Sequence, residues 1–251
     1  MNDLYFCGDI HGEFRKLVWE ICNKYEIHNS SILVLGDFGI GFGRDFPDIY
    51  KRTEPKLEKN NITIYTIRGN HDDPQYFKNT EKHNYPRLKF LEDHNVYRIC
   101  DRDIYVIGGA NSTDANINPD YTGNIEDRKI ETEKRLRKGK LATWWEDEAI
   151  EEKYTNLPPR VDIIVSHCAP INFEPVSIRT SEISVPQFER IIQERKYLMN
   201  VLQEIRADYW FYGHYHRSYT GTYNQLLYRG LGVFELFLAP PKKNTNPQGE
   251  I

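Results

Sequence analysis

The stretch YFCGDIHGEF, residues 5–14, places a carboxylate and an imidazole, Asp9 and His11, in a turn directly behind a short apolar strand. Apolar residues then recur at helical spacing from 14 to 25, so the pattern predicts a strand, a turn and a helix. SILVLGDFG, residues 31–39, repeats this arrangement, and a more polar stretch at 48–59 is predicted to be the next helix although it contains Pro55. Alternating strands and helices are typical of an α/β fold.

Later apolar runs extend the pattern. Three of them read as buried strands that end in polar residues: ITIYTIRGNHDDP (62–74), VDIIVSHCAP (161–170) and DYWFYGHYH (208–216). Two more are predicted to be neighbouring strands: VYRI (96–99) and DIYVIGGA (103–110). Helices are predicted over the charged region at about 125–154 and over an amphipathic stretch from 185 to 207, and short antiparallel strands over 218–238.

Composition and charge narrow the class of protein. The 251 residues are 39% hydrophobic, enough for one sizeable core, so we predict a single domain over 1–239 and a loose polar tail over 240–251. A formal net charge of -4 provides no global basic field, which argues against nucleic acid or an anionic membrane surface as partner. The four cysteines form no CxxC pair, which is typical of a reducing compartment. No apolar run reaches the roughly 18 residues of a spanning helix, so we expect a soluble, cytoplasmic protein.

Five of the predicted strands end in residues that can bind a metal ion. In chain order these residues are Asp9, His11, Asp37, Asn70, His167, His214 and His216. Because ligands collect at the carboxyl edge of parallel strands, residues distant in sequence can meet there. Any one of them alone is more often a cap or a turn residue. Five of the eight histidines follow apolar strands, however, and this joint occurrence favours a metal site.

The motifs resemble those of a known family. GDIHG, the GD at 36–37, GNHD, the SH at 166–167 and GHYH occur in the order found in calcineurin-like metallophosphoesterases, and the resemblance, to bacterial or phage members, spans about residues 3–238. It implies an α/β fold, a sandwich of two mixed β-sheets flanked by helices. It also implies two metal ions at the strand ends: Asp9, His11 and His216 at one, Asn70, His167 and His214 at the other, and Asp37 bridging both.

The chemistry implied by this resemblance is dinuclear metal-dependent hydrolysis of phosphate esters. A hydroxide shared by the two cations attacks phosphorus, and the bridging carboxylate of Asp37 offsets the repulsion between the ions. His71, next to Asn70, is then suitably placed as the general acid for the leaving oxygen. Nitrogen and oxygen ligands favour two divalent ions among Mn, Fe, Zn, Ni or Co, with Mn favoured. Cys168 is interpreted as a small buried residue at a strand end.

Two positions depart from the family pattern. Many relatives, serine/threonine protein phosphatases especially, carry a DRG run three residues after the bridging carboxylate, where this chain has Ile40 and Gly41. The missing acid normally orients the histidine that donates the proton, so the partner of His71 is left open, with Asp72 and Asp45 as candidates. A protein phosphatase of the usual type is therefore less favoured.

Candidate substrate-binding residues follow from the same comparison. Without the DRG arginine, Arg44 is the nearest candidate for holding phosphate. For Arg68, just before GNHD, a phosphate-binding role and a place as an exposed or packed strand-end residue are equally weighted alternatives. GGANSTD, residues 108–114, resembles a GGAxSxD run of bacterial and phage members. Asn111, Ser112 and Asp114 are therefore candidates for the substrate side, and a tight turn capped by Asn and Ser is the equally weighted alternative.

We predict a phosphate-ester hydrolase acting on a small phosphorylated substrate, preferably a small-molecule or nucleotide phosphodiester. The alternatives are a phosphomonoesterase, including serine/threonine protein phosphatase activity, and a non-catalytic metal-binding scaffold. Intact His71 and seven intact ligand positions argue against the scaffold. A nuclease that binds nucleic acid in a local groove is a further alternative. The net charge gives it no support. Neither the oligomeric state nor the natural substrate follows from the residues.

Overall fold

The computed structural model describes residues 2–41, 46–112, 145, 147–173 and 184–243. Within these residues the strands form two sheets of five and six strands. The first sheet contains β1 (Asp3–Cys7), β2 (Ser30–Val34), β3 (Ile62–Thr66), β4 (Leu88–Phe90) and β11 (Leu236–Leu238). The second contains β5 (Val96–Ile99), β6 (Arg102–Ile107), β7 (Ile163–Ser166), β8 (Tyr209–Tyr212), β9 (Tyr219–Tyr223) and β10 (Leu226–Gly230).

Each sheet has a parallel centre; one edge strand of the first sheet and both edge strands of the second are antiparallel. The first sheet has the order β11-β1-β2-β3-β4, in which β1 to β4 run parallel and β11 pairs antiparallel with β1. The second has the order β5-β6-β7-β8-β10-β9, with antiparallel strands at both edges. β10 runs parallel to β8. The prediction of short antiparallel strands over 218–238 is thus confirmed by the β9–β10 and β1–β11 pairs, and β10 is in addition parallel to β8.

The helices cover the two outer faces of the sheets. α1 (Phe14–Trp19) continues as a π-helical turn (Glu20–Lys24), and α2 is Phe46–Lys59. Pro55 lies on the exposed side of α2, where water can satisfy the carbonyl group that loses its partner. The third helix, α3 (Val185–Glu204), is the predicted amphipathic helix. Short 3₁₀ turns follow β3 at Pro74–Phe77 and Thr80–Lys82.

Alternation of side chains along the strands produces three apolar layers. Side chains on the outer face of the first sheet, such as that of Cys7, form one layer with residues of α1 and α2, such as Phe14. Phe6 and its inward-facing equivalents fill the space between the sheets, where the Phe6 and Phe211 rings stack with centroids 4.1 Å apart. Leu198 of α3 belongs to the layer on the outer face of the second sheet. The predicted fold class, a sandwich of two mixed sheets flanked by helices, is confirmed.

One predicted helix is wrong in the part that the structure describes. Residues 113–144 and 146 lie outside the described residues, and 147–154 is irregular instead of helical. The Glu148 carboxylate accepts hydrogen bonds from the N–H groups of Ser112 (2.6 Å) and Trp145 (3.0 Å), while the carbonyls of Glu148 and Ala149 accept from Arg68 (2.5 and 3.0 Å). These bonds to distant residues hold the segment in an irregular conformation that competes with a helix.

The described part of the predicted tail lies on the second sheet. Lys242 Nζ contacts Asp162 Oδ2 at 2.7 Å, and the Tyr209 hydroxyl donates to the Pro241 carbonyl at 3.1 Å. The predicted loose tail therefore stays a prediction for residues 244–251, which lie outside the described residues. None of the helices in the described residues is long and apolar enough to cross a membrane.

Candidate metal centre

The loops that follow β1, β2, β3, β7 and β8 place their polar side chains together at the carboxyl edge of the two sheets. Two groups of potential metal ligands lie there: Asp9, His11, Asp37 and His216 in one, and Asp37, His167 and His214 in the other. Within each group the ligand atoms all lie within 4.8 Å of one another. The sequence-predicted residues therefore meet in space, and Asp37 belongs to both groups.

The first group reaches the surface. His11 Nε2 lies 2.9 Å from His216 Nε2, and His216 Nε2 lies 3.1 Å from Asp9 Oδ2. His11 Nδ1 is 4.0 Å from Asp37 Oδ2. Asp9 and Asp37 are buried, whereas the side chains of His11 and His216 are 35% and 49% exposed. This arrangement presents two imidazoles to solvent above two buried carboxylates.

The second group is buried more deeply. His167 Nε2 lies 3.2 Å from Asp37 Oδ1 and 3.0 Å from Asn70 Oδ1, and all three residues are buried. The other nitrogen, His167 Nδ1, donates to the Leu35 carbonyl at 2.7 Å. This bond fixes the ring and directs Nε2 toward the two oxygens, as outer partners of metal-binding histidines do. Asn70, which sequence analysis assigned to this ion, thus lies with the group.

The carboxylates close to His167 favour a positive charge in the second group. Burial opposes a charge on the His167 imidazole, but the carboxylates of Asp37 and Asp9 outweigh it and raise the pKa of His167 to about 10. Burial also raises the pKa of Asp37, yet the imidazoles of His167 and His71 hold it well below the usual range. Oxygen atoms of Asp37 and Asn70 thus converge on a point where a proton on Nε2 or a metal ion must sit. The donors fit a divalent cation with nitrogen and oxygen ligands.

Hydrogen bonds of the backbone hold the two carboxylates in place. The His214 N–H group donates to both oxygens of Asp9, at 3.1 Å each. The His71 N–H group donates to Asp37 Oδ1 at 2.8 Å. The bonds between Asp9 and His214 join a loop of the first sheet to a loop of the second. The bond between Asp37 and His71 joins the loops after two strands of the first sheet.

The backbone of the site is strained. Four of the seven candidate ligands have positive φ: His11 (43°), Asp37 (46°), His214 (67°) and His216 (54°). Such conformations are costly for residues with a side chain and persist when the surroundings determine them, which is common at functional sites.

The loops also approach one another closely at glycines that precede ligands. A Cβ atom at Gly69 would lie 2.2 Å from Asp37 Oδ1, and one at Gly213 would lie 2.3 Å from Asp9 Oδ1. Glycine is thus required at both positions because a neighbouring carboxylate occupies the space.

His71 lies at the rim of this centre. His71 is half-buried, and its ring centroid lies 5.5 Å from that of the His11 ring. Asp72, one of its two predicted partners, accepts N–H groups from four residues, at distances of 2.6 to 3.2 Å: Phe38, Gly39, Ile40 and Gly69. Asp72 therefore ties the glycine-rich loop after β2 to the end of β3. Asp45, the other predicted partner, lies outside the described residues.

The candidate substrate-binding residues have mixed outcomes. Arg44 and Asp114 lie outside the described residues. The amide of Asn111 donates from Nδ2 to Glu194 Oε2 at 2.7 Å, so this side chain is engaged by α3. A role for Asn111 toward substrate stays a prediction.

Arg68 is a packed residue at the end of its strand, in line with the second of its two predicted roles. Its guanidinium is buried and contacts Asp93 Oδ2 at 2.9 Å. It also donates to the carbonyl groups of Gly108, Glu148 and Ala149. Arg68 therefore joins the end of β3 to the loops after β6.

Sequence analysis missed two charged residues of α3 that support the centre. Glu194 and Arg195 are both 5% exposed. Arg195 donates to the carbonyls of Ala169 (3.1 Å) and Pro170 (3.2 Å), in the loop behind His167. A signal was present, because residues 194 and 195 stand three and four positions after Ile191 and fall on the apolar stripe of the helix.

Comparison with known proteins gives a family match. The sequence profile described as calcineurin-like phosphoesterase matches residues 3–218. No curated protein sequence matches the chain.

Solved structures with a similar chain trace share little sequence. Phosphopantetheinyl hydrolase from Mycobacterium tuberculosis has 14% identity and a TM-score of 0.45, over 100% of this chain and 98% of that one. The protein TT1561 of Thermus thermophilus has 9% identity and a TM-score of 0.43, over 95% and 99%. A putative 5′-nucleotidase from Staphylococcus aureus has 15% identity and a TM-score of 0.39, over 92% and 48%. At these values the similarities carry no conclusion about activity.

Proposed function

Since the chain belongs to the calcineurin-like phosphoesterase family and is a metal-dependent phosphoester hydrolase, we propose that it binds two divalent cations and hydrolyses a small-molecule or nucleotide phosphodiester. The observation that carries the two-ion proposal is the position of Asp37. Its carboxylate belongs to both groups of candidate ligands and lies buried between them. A shared carboxylate lowers the repulsion between two neighbouring cations.

The ligands divide between the two ions according to the two groups. Asp9, His11 and His216 would hold one ion, Asn70, His167 and His214 would hold the other, and Asp37 would be shared by both. Two such cations, when bound, supply a nucleophile by acidifying water and stabilise charge on the phosphoryl oxygens. The ligand types suit Mn, Fe, Zn, Ni or Co, and we favour Mn.

The charge of the ligands supports a diester as substrate. The two groups contain two carboxylates, Asp9 and Asp37, and otherwise neutral ligands. They offset about half of the charge of two divalent cations, which leaves roughly two positive charges for substrate and nucleophile. A phosphodiester monoanion with one hydroxide balances this charge, whereas a monoester dianion exceeds it. The sequence also lacks the DRG arginine that would help to hold a dianion.

His71 is the proposed general acid. Its backbone is fixed by the bond from its N–H group to Asp37, so the side chain is held beside the centre. Its half-buried position leaves it access to solvent, from which it can be protonated again after each turnover.

A metal-resolved activity panel tests this proposal. Protein stripped with a chelator is reconstituted with each of the five metals and assayed with bis(4-nitrophenyl) phosphate, 4-nitrophenyl phosphate, cyclic nucleotides and a phosphopeptide. We expect the diester to be hydrolysed faster than the monoester by protein that holds two ions per chain. Faster hydrolysis of the monoester or of the phosphopeptide would overturn the diester assignment. Protein with two ions and no turnover would support a metal-binding scaffold.

A further inference from the structure

A partly buried hydrogen bond joins the two loops that carry the histidines of the second sheet. The Sγ atom of Cys168 lies 3.1 Å from the hydroxyl oxygen of Tyr215. Cys168 directly follows His167 in the loop after β7, and Tyr215 stands between His214 and His216 in the loop after β8. The bond therefore connects the loop that carries His167 with the loop that carries His214 and His216.

The loop after β7 is firmly braced. Trp210 Nε1 donates to Ser166 Oγ at 2.7 Å, and Ser166 Oγ donates to the Cys168 carbonyl at 2.5 Å. The guanidinium of Arg195 holds the next turn through the carbonyl groups of Ala169 and Pro170. These hydrogen bonds fix the backbone around Cys168 at the end of β7.

Either partner can donate in the bond between Cys168 and Tyr215, because the thiol and the hydroxyl each carry one hydrogen. The Glu194 carboxylate accepts from the amide of Asn111 at 2.7 Å. Burial raises the pKa of the Cys168 thiol and of the Tyr215 hydroxyl well above their ordinary values, so both groups keep their protons.

Tyr215 attaches the loop after β8 to the loop after β7. His214 and His216 both have positive φ, so their backbone is under strain that contacts must offset. The Tyr215 ring packs edge-on against the ring of His214 with centroids 4.9 Å apart, and the His214 ring makes a similar contact with His167. The Tyr215 ring therefore packs against His214, and its hydroxyl is held by the hydrogen bond to Cys168.

We propose that Tyr215, hydrogen-bonded to Cys168, is a positioning residue that holds His214 and His216 in the orientation needed to bind both metal ions. This inference rests on the proposed two-ion function. Without the hydroxyl the ring keeps its volume but loses its anchor, so both imidazoles become free to reorient. Because His214 and His216 belong to different groups, the loss affects both ions.

The variant Tyr215→Phe tests the proposal in the full-length protein. Cobalt(II) affinity is measured on metal-free protein by competition with a chelator, and the visible absorption of the cobalt-loaded protein reports ligand geometry. We expect binding of both ions to weaken roughly 10- to 100-fold, the effect typical of removing an outer partner of a metal ligand, and the absorption bands to shift. Tyr209→Phe is the matched control, because its hydroxyl also makes a partly buried hydrogen bond, to the Pro241 carbonyl at 3.1 Å, at the opposite end of β8.

Changes at Cys168 test the same bond from its other side. Cys168→Ala should reproduce the effect of Tyr215→Phe, and the double variant should be no weaker than either single one, because one shared bond is lost. Cys168→Ser keeps a hydroxyl and should recover part of the affinity.

The outcomes separate this inference from the proposed function. If wild-type protein binds two cobalt ions and Tyr215→Phe binds them as tightly as Tyr209→Phe does, the positioning role is wrong. The role is also wrong if Cys168→Ala leaves affinity unchanged. If wild-type protein itself fails to bind two ions, the two-ion function is wrong.

Discussion

At the scale of single residues, the candidate centre combines buried charges with exposed imidazoles. Asp9, Asp37 and His167 are buried, while His11 and His216 face solvent. The buried residues set the charge and the exposed ones leave room for a substrate. Two predictions belong to this scale, one for the residue at the rim and one for the buried imidazole.

Replacing His71 should separate metal binding from turnover. We expect His71→Ala to keep near-normal metal content and to lower kcat by about 10² to 10⁴, the usual contribution of a general acid. The loss should be larger for an alkyl diester, whose leaving group needs a proton, than for a 4-nitrophenyl diester. His28→Ala, at an exposed position between α1 and β2, is the control. Equal loss with both leaving groups would contradict the assignment.

The metal-free protein should lose stability as pH rises. The pKa of His167 is about 10 in the folded protein against an ordinary value of 6.5, which the unfolded chain adopts. The folded state therefore holds a proton that the unfolded state releases, so this stabilisation is complete below pH of about 6.5 and disappears toward pH 10. Urea unfolding of chelator-treated protein between pH 6.5 and 9.5 should show the decline.

The variant His167→Gln provides the comparison for this pH dependence. It cannot take up the proton, so its stability should vary less over the same range. An equal decline in wild type and variant would show that other groups cause it.

At the scale of elements, the strands were the most predictable part and the irregular segments the least. Alternating or continuous apolar runs identified the strands that carry the centre. β4 has three residues, too few for a periodic pattern, and was missed. The segment 147–154 was predicted to be helical from its charge pattern, but hydrogen bonds to distant residues, Arg68 above all, determine its conformation.

The close approach of the strand-end loops gives a prediction for glycine. A Cβ at Gly213 would lie 2.3 Å from Asp9 Oδ1 and 2.9 Å from the Leu35 carbonyl oxygen, so Gly213→Ala must displace a candidate ligand. We expect a loss of about 1 to 3 kcal/mol in the free energy of unfolding, together with weaker metal binding. Gly232→Ala is the control, because a Cβ there meets its nearest atom at 3.4 Å. Similar urea midpoints for the two variants would refute this reading of the loops.

At the scale of the whole molecule, the centre joins the two sheets. Asp9, His11, Asp37 and Asn70 follow strands of the first sheet, whereas His167, His214 and His216 follow strands of the second. The convergence of these residues was predictable because parallel strands share a carboxyl edge. Of the supports behind them, Glu194 and Arg195 left a signal in the apolar stripe of α3, whereas the role of Arg68 is recognisable only from the packing of distant segments. The crossing that makes β10 parallel to β8 likewise has no signal in the local pattern.

The central claim, two ions that share Asp37, is tested most directly by counting bound metal. Wild-type protein, Asp37→Asn and the control Asp162→Asn, a buried carboxylate at the opposite end of the sandwich, are reconstituted with manganese. They are then freed of excess metal by dialysis and measured by elemental analysis. We predict two ions per chain for wild type and for Asp162→Asn, and fewer than one for Asp37→Asn, since both ions lose a charged ligand. Two ions retained by Asp37→Asn, or a single ion in wild type, would contradict the account.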